Sequence, residues 1–396
     1  MSPPHGRLKE GSLPLGIAVD YGEQEAAMRD YLAQGEQRAF SLGNRGPIRF
    51  TADGQLHPEI LEAYWRCGFY VFEGVLQAGE LADIEADFRD ILERLPVRKG
   101  APTDRHGRPA LAVDNKAATL LWSRPLGDPA GGTDFANGRH PVKMFEPKAS
   151  ARAPEEIVYL ILGSLQFSEA ALRVYGHPQL LAVAAAVNGA DFVPFNEALF
   201  IKEPGLGASV AWHQDGITHW DSPLFDADSH GFNFMAQLYG CTAANGVWVV
   251  PGSHALGRAD IPAMVAAAGS ERLRDAVPLI CKPGDVAMTN RQAVHGSFAN
   301  TSRDWRVTVN FGFHRRRSVL GVVAPATLHG TAGVYDEQRI ARRARVIGYA
   351  IDARRQRFPA ETPFAYQPHA AAGQQFRWDE AAKASMKDYN LLDLSI

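Results

Sequence analysis

His213 and Asp215 stand two residues apart in a segment with the composition of a β-strand. Side chains alternate between the two faces of a strand, so residues i and i+2 project into the same space. Two histidines and one carboxylate on one face, with further positions left open, form the ligand set of non-haem Fe(II) oxygenases. The pair therefore predicts part of a metal site, although His-x-Asp alone recurs by chance in chains of this length.

The same spacing recurs at His219 and Asp221. This second copy follows Gly216 and precedes Pro223, which favours a loop, where strict alternation is lost. The first copy is therefore the predicted metal-binding pair. His219 and the adjacent Trp220 remain candidates for contact with substrate, with simple packing of Trp220 as the alternative.

The third ligand is expected from a later strand, and His295 lies far enough beyond Asp215 for the chain to cross a β-sandwich and return. If its segment forms a hairpin about a turn near residues 300–301, Arg306 lies opposite His295 on the same face. A guanidinium there can bind a carboxylate through two parallel hydrogen bonds. The sequence thus predicts an anchor for a metal-bound dicarboxylate.

Two further β-type segments carry polar side chains on one face. Asn196 and Lys202 share a face of one segment, and Asn233 and Gln237 share a face of another. Polar groups inside a β-sandwich are costly unless they are paired. The four residues are therefore predicted to line a wet active-site cavity, and the alternative is that both faces point to solvent.

Taken in order, these motifs resemble the phytanoyl-CoA dioxygenase family of Fe(II)/2-oxoglutarate oxygenases. The resemblance rests on the Trp-His-Gln-Asp-Gly run from residue 212, the segment 245–254, and His295-Gly296-Ser297 followed by Arg306. It covers roughly residues 60–315 and is patchy between 98 and 190.

The resemblance implies a role for each motif residue. Three residues would bind Fe(II): His213, Asp215 and His295. Three others would contact 2-oxoglutarate: Arg306 at its distal carboxylate, Ser297 and Lys202. The implied reaction uses O2 to hydroxylate a small-molecule substrate while 2-oxoglutarate is decarboxylated to succinate and CO2. Related halogenases have a small residue at the position of Asp215, so the carboxylate favours hydroxylation or desaturation.

The composition is that of a globular chain, with 46% hydrophobic and 21% charged residues. The formal net charge of -3 argues against a nucleic-acid binder, which needs a strongly basic face. Neither a signal peptide nor an apolar stretch of about twenty residues is present. The 3 cysteines lack CxxC spacing and suit a reducing compartment. We therefore expect a cytoplasmic protein without nucleic-acid or membrane partners, and its oligomeric state is open.

The elements around the motifs predict a single catalytic domain over residues 1–396. Short β-type runs over 190–314 predict an all-β barrel or a double-sheet jelly roll, and the family resemblance implies a cupin-like double-stranded β-helix core. Residues 1–189 are predicted to be mainly helical, including 157–188, apart from a short strand at 68–72 and an irregular segment 98–154. Residues 315–396 are predicted to form a C-terminal helical extension. The fold class is mainly β with flanking helices.

Several alternatives stay open. The irregular segment is either a lid or a surface meander. The arginine-rich run between Arg339 and Arg357 either grips a phosphorylated substrate or forms the solvated face of a helix. Two other functions also fit: a cupin-like isomerase or hydrolase that needs no Arg306, and a non-catalytic jelly-roll binding protein whose histidines merely pack.

Overall fold

The computed structural model describes residues 21–215, 231–324, 333–391 and 393. Its strands are β1 (Arg45–Gly46), β2 (Phe69–Phe72), β3 (Leu120–Ser123), β4 (Ile157–Leu162), β5 (Val193–Lys202), β6 (Val210–His213), β7 (Gly231–Gln237), β8 (Trp248–Val249), β9 (Val277–Pro278), β10 (Val286–Asn290), β11 (His295–Ser297), β12 (Arg306–His314), β13 (Val323–Ala324) and β14 (Gly333–Val334). Its helices are α1 (Glu25–Ser41), α2 (Pro58–Cys67), α3 (Ala78–Arg94), α4 (Phe135–Gly138), α5 (Glu169–Tyr175), α6 (Pro178–Asn188), α7 (Ile261–Ala268), α8 (Arg316–Val319), α9 (Glu337–Arg357), α10 (Gln367–Ala371) and α11 (Glu380–Ser385). Within these described ranges, no helix combines the length and apolar composition that crossing a bilayer requires.

Most strands belong to two sheets. The large sheet has the order β1-β2-β10-β7-β12-β5-β4-β3, and the small sheet has the order β6-β11-β8-β9. From β5 to β12 the chain passes repeatedly between them, with β5, β7, β10 and β12 in the large sheet and β6, β8, β9 and β11 in the small one. This winding is that of a jelly roll, so the predicted double-stranded β-helix core is confirmed.

Strand alternation gives the large sheet two different faces. Phe232 and Phe234 of β7 pack with Phe311 and Phe313 of β12, and α5 covers them through Tyr175. Burying each such aromatic side chain contributes about 1.5–3 kcal/mol. The alternate residues of the two strands point the other way, towards the small sheet, and include the polar residues Asn233, Arg306 and Asn310. The polar face predicted from sequence is therefore buried inside the sandwich.

The prediction of a helix from residue 157 is wrong over its first six residues. Ile157–Leu162 forms β4, which lies between β3 and β5 and is buried throughout. An unbroken run of aliphatic and β-branched residues suits a strand buried on both faces, but periodicity does not separate it from a buried helix. The N-terminal region is consequently not simply helical, because it contributes β1 to β4 to the large sheet.

The predicted hairpin between His295 and Arg306 is also wrong. β11 pairs with β6 and β8, whereas Arg306 begins β12 in the other sheet, directly opposite Lys202. The Asn300 side chain donates to the carbonyl oxygen of Lys202 at 3.0 Å, and its backbone N–H donates to that of Gly207 at 2.8 Å. These bonds tie the connection to the segment after β5, so the chain crosses between sheets instead of folding back.

Three arginines of α9 are buried and ion-paired. Arg343 lies 2.9 Å from Asp393 and Arg339 lies 3.5 Å from the same carboxylate. Arg354 lies 2.7 Å from Glu80 of α3. The two sequence interpretations were binding of a phosphorylated substrate and a solvent-exposed helix face. Neither holds for these three residues, because they are buried and paired with carboxylates of the same chain. They hold α9 and the C-terminal tail against the rest of the fold.

Candidate metal centre

The predicted metal ligands meet at one end of a cavity between the two sheets. His213 ends β6, Asp215 follows two residues later, and His295 begins β11 directly opposite His213. One nitrogen or oxygen atom from each of the three side chains lies within 4.8 Å of the others, and all three are buried. The structure therefore brings the triad together through the pairing of β6 with β11.

Both imidazoles are held in the tautomer that metal binding requires. Nδ1 of His213 lies 2.8 Å from the carbonyl oxygen of Ala211, and Nδ1 of His295 lies 2.9 Å from that of Ala293. A carbonyl oxygen only accepts, so each Nδ1 donates its proton there, and each Nε2 faces the Asp215 carboxylate, at 3.5 Å for His213 and 3.9 Å for His295. Burial, reinforced by the neighbouring His213, lowers the pKa of His295 to about 3, so its neutral form predominates at physiological pH.

The third donor, Asp215, is ionised. Burial opposes its ionisation, but the guanidinium groups of Arg291 and Arg139 hold the pKa of Asp215 well below its usual range. Nη1 of Arg139 lies 2.9 Å from Oδ1, and the amide of Asn233 donates to Oδ2 at 2.9 Å. An ionised carboxylate and two neutral imidazoles are the donor set of a 2-His-1-carboxylate iron site. The residues present therefore fit Fe(II).

Two buried cations lie deeper between the sheets. Lys202 and Arg306 face each other across β5 and β12, and each is 2% exposed. Burial and the Arg306 guanidinium keep the pKa of Lys202 well below its usual range, and burial also lowers the pKa of Arg306. Among the described residues, no carboxylate forms an ion pair with either. Two buried basic side chains lie here, and the Arg306 guanidinium has no described carboxylate partner, so this region suits a carboxylate ligand that supplies the missing negative charge.

The orientation of Arg306 is set through β12 and β7. Its Nε donates to the Thr308 hydroxyl at 3.0 Å, and that hydroxyl donates to Oε1 of Gln237 at 2.8 Å. Because Nε is occupied, the two Nη groups are left for a ligand, and Arg306 lines the cavity. Gln237, predicted as a pocket residue, thus acts through Thr308 and Arg306.

The other predicted residues have distinct positions. Ser297 lines the cavity, and its buried hydroxyl has no hydrogen-bond partner among the described residues. Asn233 also lines the cavity and bonds Asp215, whereas Asn196 lies 3.4 Å from Arg291. The solvent-facing alternative for these side chains is wrong because all are buried. His219 and Trp220 lie outside the described residues.

Sequence reasoning missed three residues beside the triad: Arg139, His140 and Arg291. Arg291 follows β10, donates to Oδ1 of Asn233 at 3.0 Å and stacks over the Phe195 ring at 4.5 Å. Its position just before the predicted third ligand was the available signal. Arg139 and His140 come from the irregular segment 98–154, which has no periodicity that could have identified them.

The sequence matches the family model described as phytanoyl-CoA dioxygenase over residues 64–308. No curated protein matches the chain significantly. Among solved structures, the chain is similar to EvdMO1, with 23% identity, 63% of this chain and 48% of that chain covered, and a TM-score of 0.44. The match thus spans about half the length of EvdMO1.

Two other solved structures are similar. AviO1 from Streptomyces viridochromogenes has 23% identity, with 64% of this chain and 92% of that chain covered and a TM-score of 0.45. EctD from S. alaskensis, solved with 2-oxoglutarate and 5-hydroxyectoine, has 19% identity, coverages of 67% and 79%, and a TM-score of 0.45. The assignment rests on the family match, which covers more than half of the chain and confirms the resemblance. The chain belongs to the phytanoyl-CoA dioxygenase family of Fe(II)/2-oxoglutarate-dependent enzymes.

Proposed function

We propose that the protein is an oxygenase that hydroxylates a small-molecule substrate and converts 2-oxoglutarate into succinate and CO2. The observation that carries the proposal is the buried triad, whose donor atoms lie within 4.8 Å of one another. A set of two imidazoles and one carboxylate leaves metal positions open for a co-substrate and O2. The cavity that the triad borders also contains Arg306, as a dicarboxylate co-substrate requires.

Each residue has a defined task in this proposal. His213, Asp215 and His295 would hold Fe(II), which with bound 2-oxoglutarate supplies the oxidising chemistry. The distal carboxylate of 2-oxoglutarate would be held by three side chains: Arg306, Ser297 and Lys202. Two neighbours keep the Asp215 carboxylate in place through hydrogen bonds or ion pairs, namely Arg139 and Asn233. The buried cavity excludes water from the reacting groups.

Asp215 supports hydroxylation as the outcome. A carboxylate on the metal occupies the position that the family's halogenases leave open for chloride. The substrate carbon would then be either hydroxylated or desaturated. Measuring whether the product gains one oxygen atom from 18O2 separates these two outcomes.

The first prediction tests the triad through Asp215→Ala. This change removes the anionic ligand, so we expect loss of stoichiometric Fe(II) binding in anaerobic titration and loss of succinate formation coupled to product. Asp285→Ala is the matched control, because Asp285 is an equally buried carboxylate that bonds backbone N–H groups of Gly74 and Lys282. That control should lose stability but keep Fe(II) binding. Unchanged coupled turnover in Asp215→Ala would refute the assignment.

Two measurements distinguish the remaining functions. A cupin-like isomerase or hydrolase would use the same metal ligands without 2-oxoglutarate, so its activity would not respond to Arg306→Met. A binding protein without catalysis would show no stoichiometric Fe(II) uptake under anaerobic conditions. The buried pair of Lys202 and Arg306 favours the oxygenase, because neither alternative accounts for two adjacent cations.

A further inference from the structure

Residues 128–146 form a compact loop that is closed at its base. The Asp128 carboxylate accepts from the backbone N–H groups of Gly131 at 2.9 Å and Met144 at 2.8 Å. The Glu146 carboxylate accepts from the backbone N–H of Asp128 at 2.8 Å. Compact loops with adjoining ends and internal bonds are frequently functional. The loop is therefore a fixed element of the cavity wall, not a loose surface meander.

The loop places His140 against the metal centre. The His140 and His213 rings have centroids 4.3 Å apart, and the His140 side chain lines the cavity. A backbone bond from Gly132 to the His140 carbonyl, at 2.8 Å, holds the chain at this point. His140 is 1% exposed, and its Nδ1 has no hydrogen-bond partner in the parts of the chain that the structure describes. A buried polar atom without a partner calls for an explanation, and a ligand supplies one.

The surrounding wall indicates what that ligand is. It is mostly apolar and includes the following residues: Phe135, Tyr159, Leu160, Phe200, Met235 and Val247. The cations of the cavity have other partners in the proposed function, since Arg139 bonds Asp215 and Arg306 is assigned to the carboxylate of 2-oxoglutarate. The His140 imidazole can hydrogen-bond a hydroxyl or carbonyl group through the ring nitrogen that has no partner among the described residues, and such an uncharged group suits an apolar wall.

We propose that His140 is a specificity-determining residue that hydrogen-bonds an uncharged polar group, a hydroxyl or a carbonyl, of an otherwise apolar substrate. The inference rests on the proposed function and deepens it by naming the substrate class. Because His140 packs on His213, this bond fixes the distance between the substrate's polar group and the metal. It thereby selects the carbon that is presented for oxidation.

The experiment begins with succinate release by the wild-type protein, Fe(II) and 2-oxoglutarate over a panel of apolar compounds that each carry one hydroxyl or carbonyl. The best compound is then compared with its analogue in which that group is replaced by hydrogen. We expect the wild type to prefer the oxygenated compound by about tenfold to hundredfold in kcat/KM. His140→Phe should abolish this preference by slowing the oxygenated compound alone. His140→Gln, which retains a hydrogen-bonding amide, should restore part of it.

The matched control is His177→Phe. His177 is also buried and its Nδ1 has no partner among the described residues, but it precedes α6 and does not line the cavity. This variant should lower the melting temperature and leave the preference unchanged.

Four results would overturn the inference. Equal loss of kcat/KM for both compounds in His140→Phe, or a changed Fe(II) affinity in anaerobic titration, would make His140 a structural residue. An active wild type that shows no preference would overturn this inference alone. A wild type that releases no succinate with any compound would overturn the proposed function as well.

Discussion

Replacing Arg306 with glutamine should weaken the binding of 2-oxoglutarate and yet leave the unliganded fold at least as stable. In the structure Arg306 is buried directly opposite Lys202, and neither forms an ion pair with a described carboxylate. Arg306→Gln removes a buried guanidinium charge that no described carboxylate neutralises. The wild-type arrangement is thus unfavourable until an anion binds, and the substitution relieves it.

Both effects have a calculable size. Two charge-assisted hydrogen bonds to a carboxylate are lost, which costs about 3 kcal/mol and weakens 2-oxoglutarate binding roughly 100-fold. Removing a poorly compensated buried charge stabilises the unliganded protein by about 1 kcal/mol. For a chain of this size that corresponds to a rise in Tm of about 1–2 °C. Arg306→Lys keeps the positive charge but lacks the planar guanidinium that forms two parallel hydrogen bonds. It should therefore weaken 2-oxoglutarate binding about tenfold.

The assay measures Tm without ligand and the KM for 2-oxoglutarate by succinate release. Arg343→Gln is the matched control, because Arg343 is also buried but lies 2.9 Å from Asp393 and donates to the Phe195 carbonyl at 2.6 Å. Removing it deprives Asp393 of the 2.9 Å ion pair and leaves the 3.5 Å one to Arg339. We expect the control to lose about 3 kcal/mol of stability and to keep the wild-type KM.

The opposite pattern would refute this reasoning. If Arg306→Gln melts as early as Arg343→Gln and its KM for 2-oxoglutarate is unchanged, Arg306 stabilises the fold and binds no co-substrate. A higher Tm together with an unchanged KM would show that the carboxylate binds elsewhere. Comparing the two variants separates both cases from a general loss of folding.

Two further substitutions test other parts of the fold. Burial raises the pKa of Glu197 to about 7, whereas the unfolded value lies near 4.3, so its stabilising contribution is present below pH 4 and lost as the pH rises through 7. Glu197→Gln should therefore melt higher than the wild type at pH 8, with a smaller difference at pH 5, and a pH-independent difference would contradict this. A Cβ at Gly131 would lie 1.9 Å from Asp128 Oδ2, so Gly131→Ala should cost about 1–3 kcal/mol and speed proteolysis of the 128–146 loop. Gly132→Ala is its control: the new Cβ meets no atom within 4 Å, and the positive φ of 69° costs only about 1 kcal/mol.

Local rules explain which parts of the site could be predicted from sequence. Alternation along a strand placed His213 and Asp215 on one side, and it also placed Lys202 and Asn233 on the buried face. The same rule gives no information where periodicity is absent. His140 lies in an irregular segment, and its approach to His213 depends on bonds that close the 128–146 loop.

Non-local pairing explains the two errors in the fold. The aliphatic run 157–162 carries no period that separates a buried helix from a central strand, and its partner β5 lies beyond two intervening helices. The predicted hairpin rested on the equal spacing of His295 and Arg306 from a turn near residues 300–301. Asn300 instead bonds the connection to the end of β5, and a bond of that kind between distant segments has no signature in the local sequence.

Arg306 reaches the cavity even though its predicted pairing is wrong, and the reason lies in the two-sheet arrangement. The small sheet supplies His213 and His295, whereas the large sheet supplies Arg306, and all three line one cavity between the sheets. Arg306 therefore reaches this cavity from the inward face of the large sheet, although β12 does not pair with β11 as predicted. The 128–146 loop belongs to neither sheet and brings His140 to the metal from a third side. Substitutions in this loop can consequently change the choice of substrate while the groups that hold iron and 2-oxoglutarate stay in place.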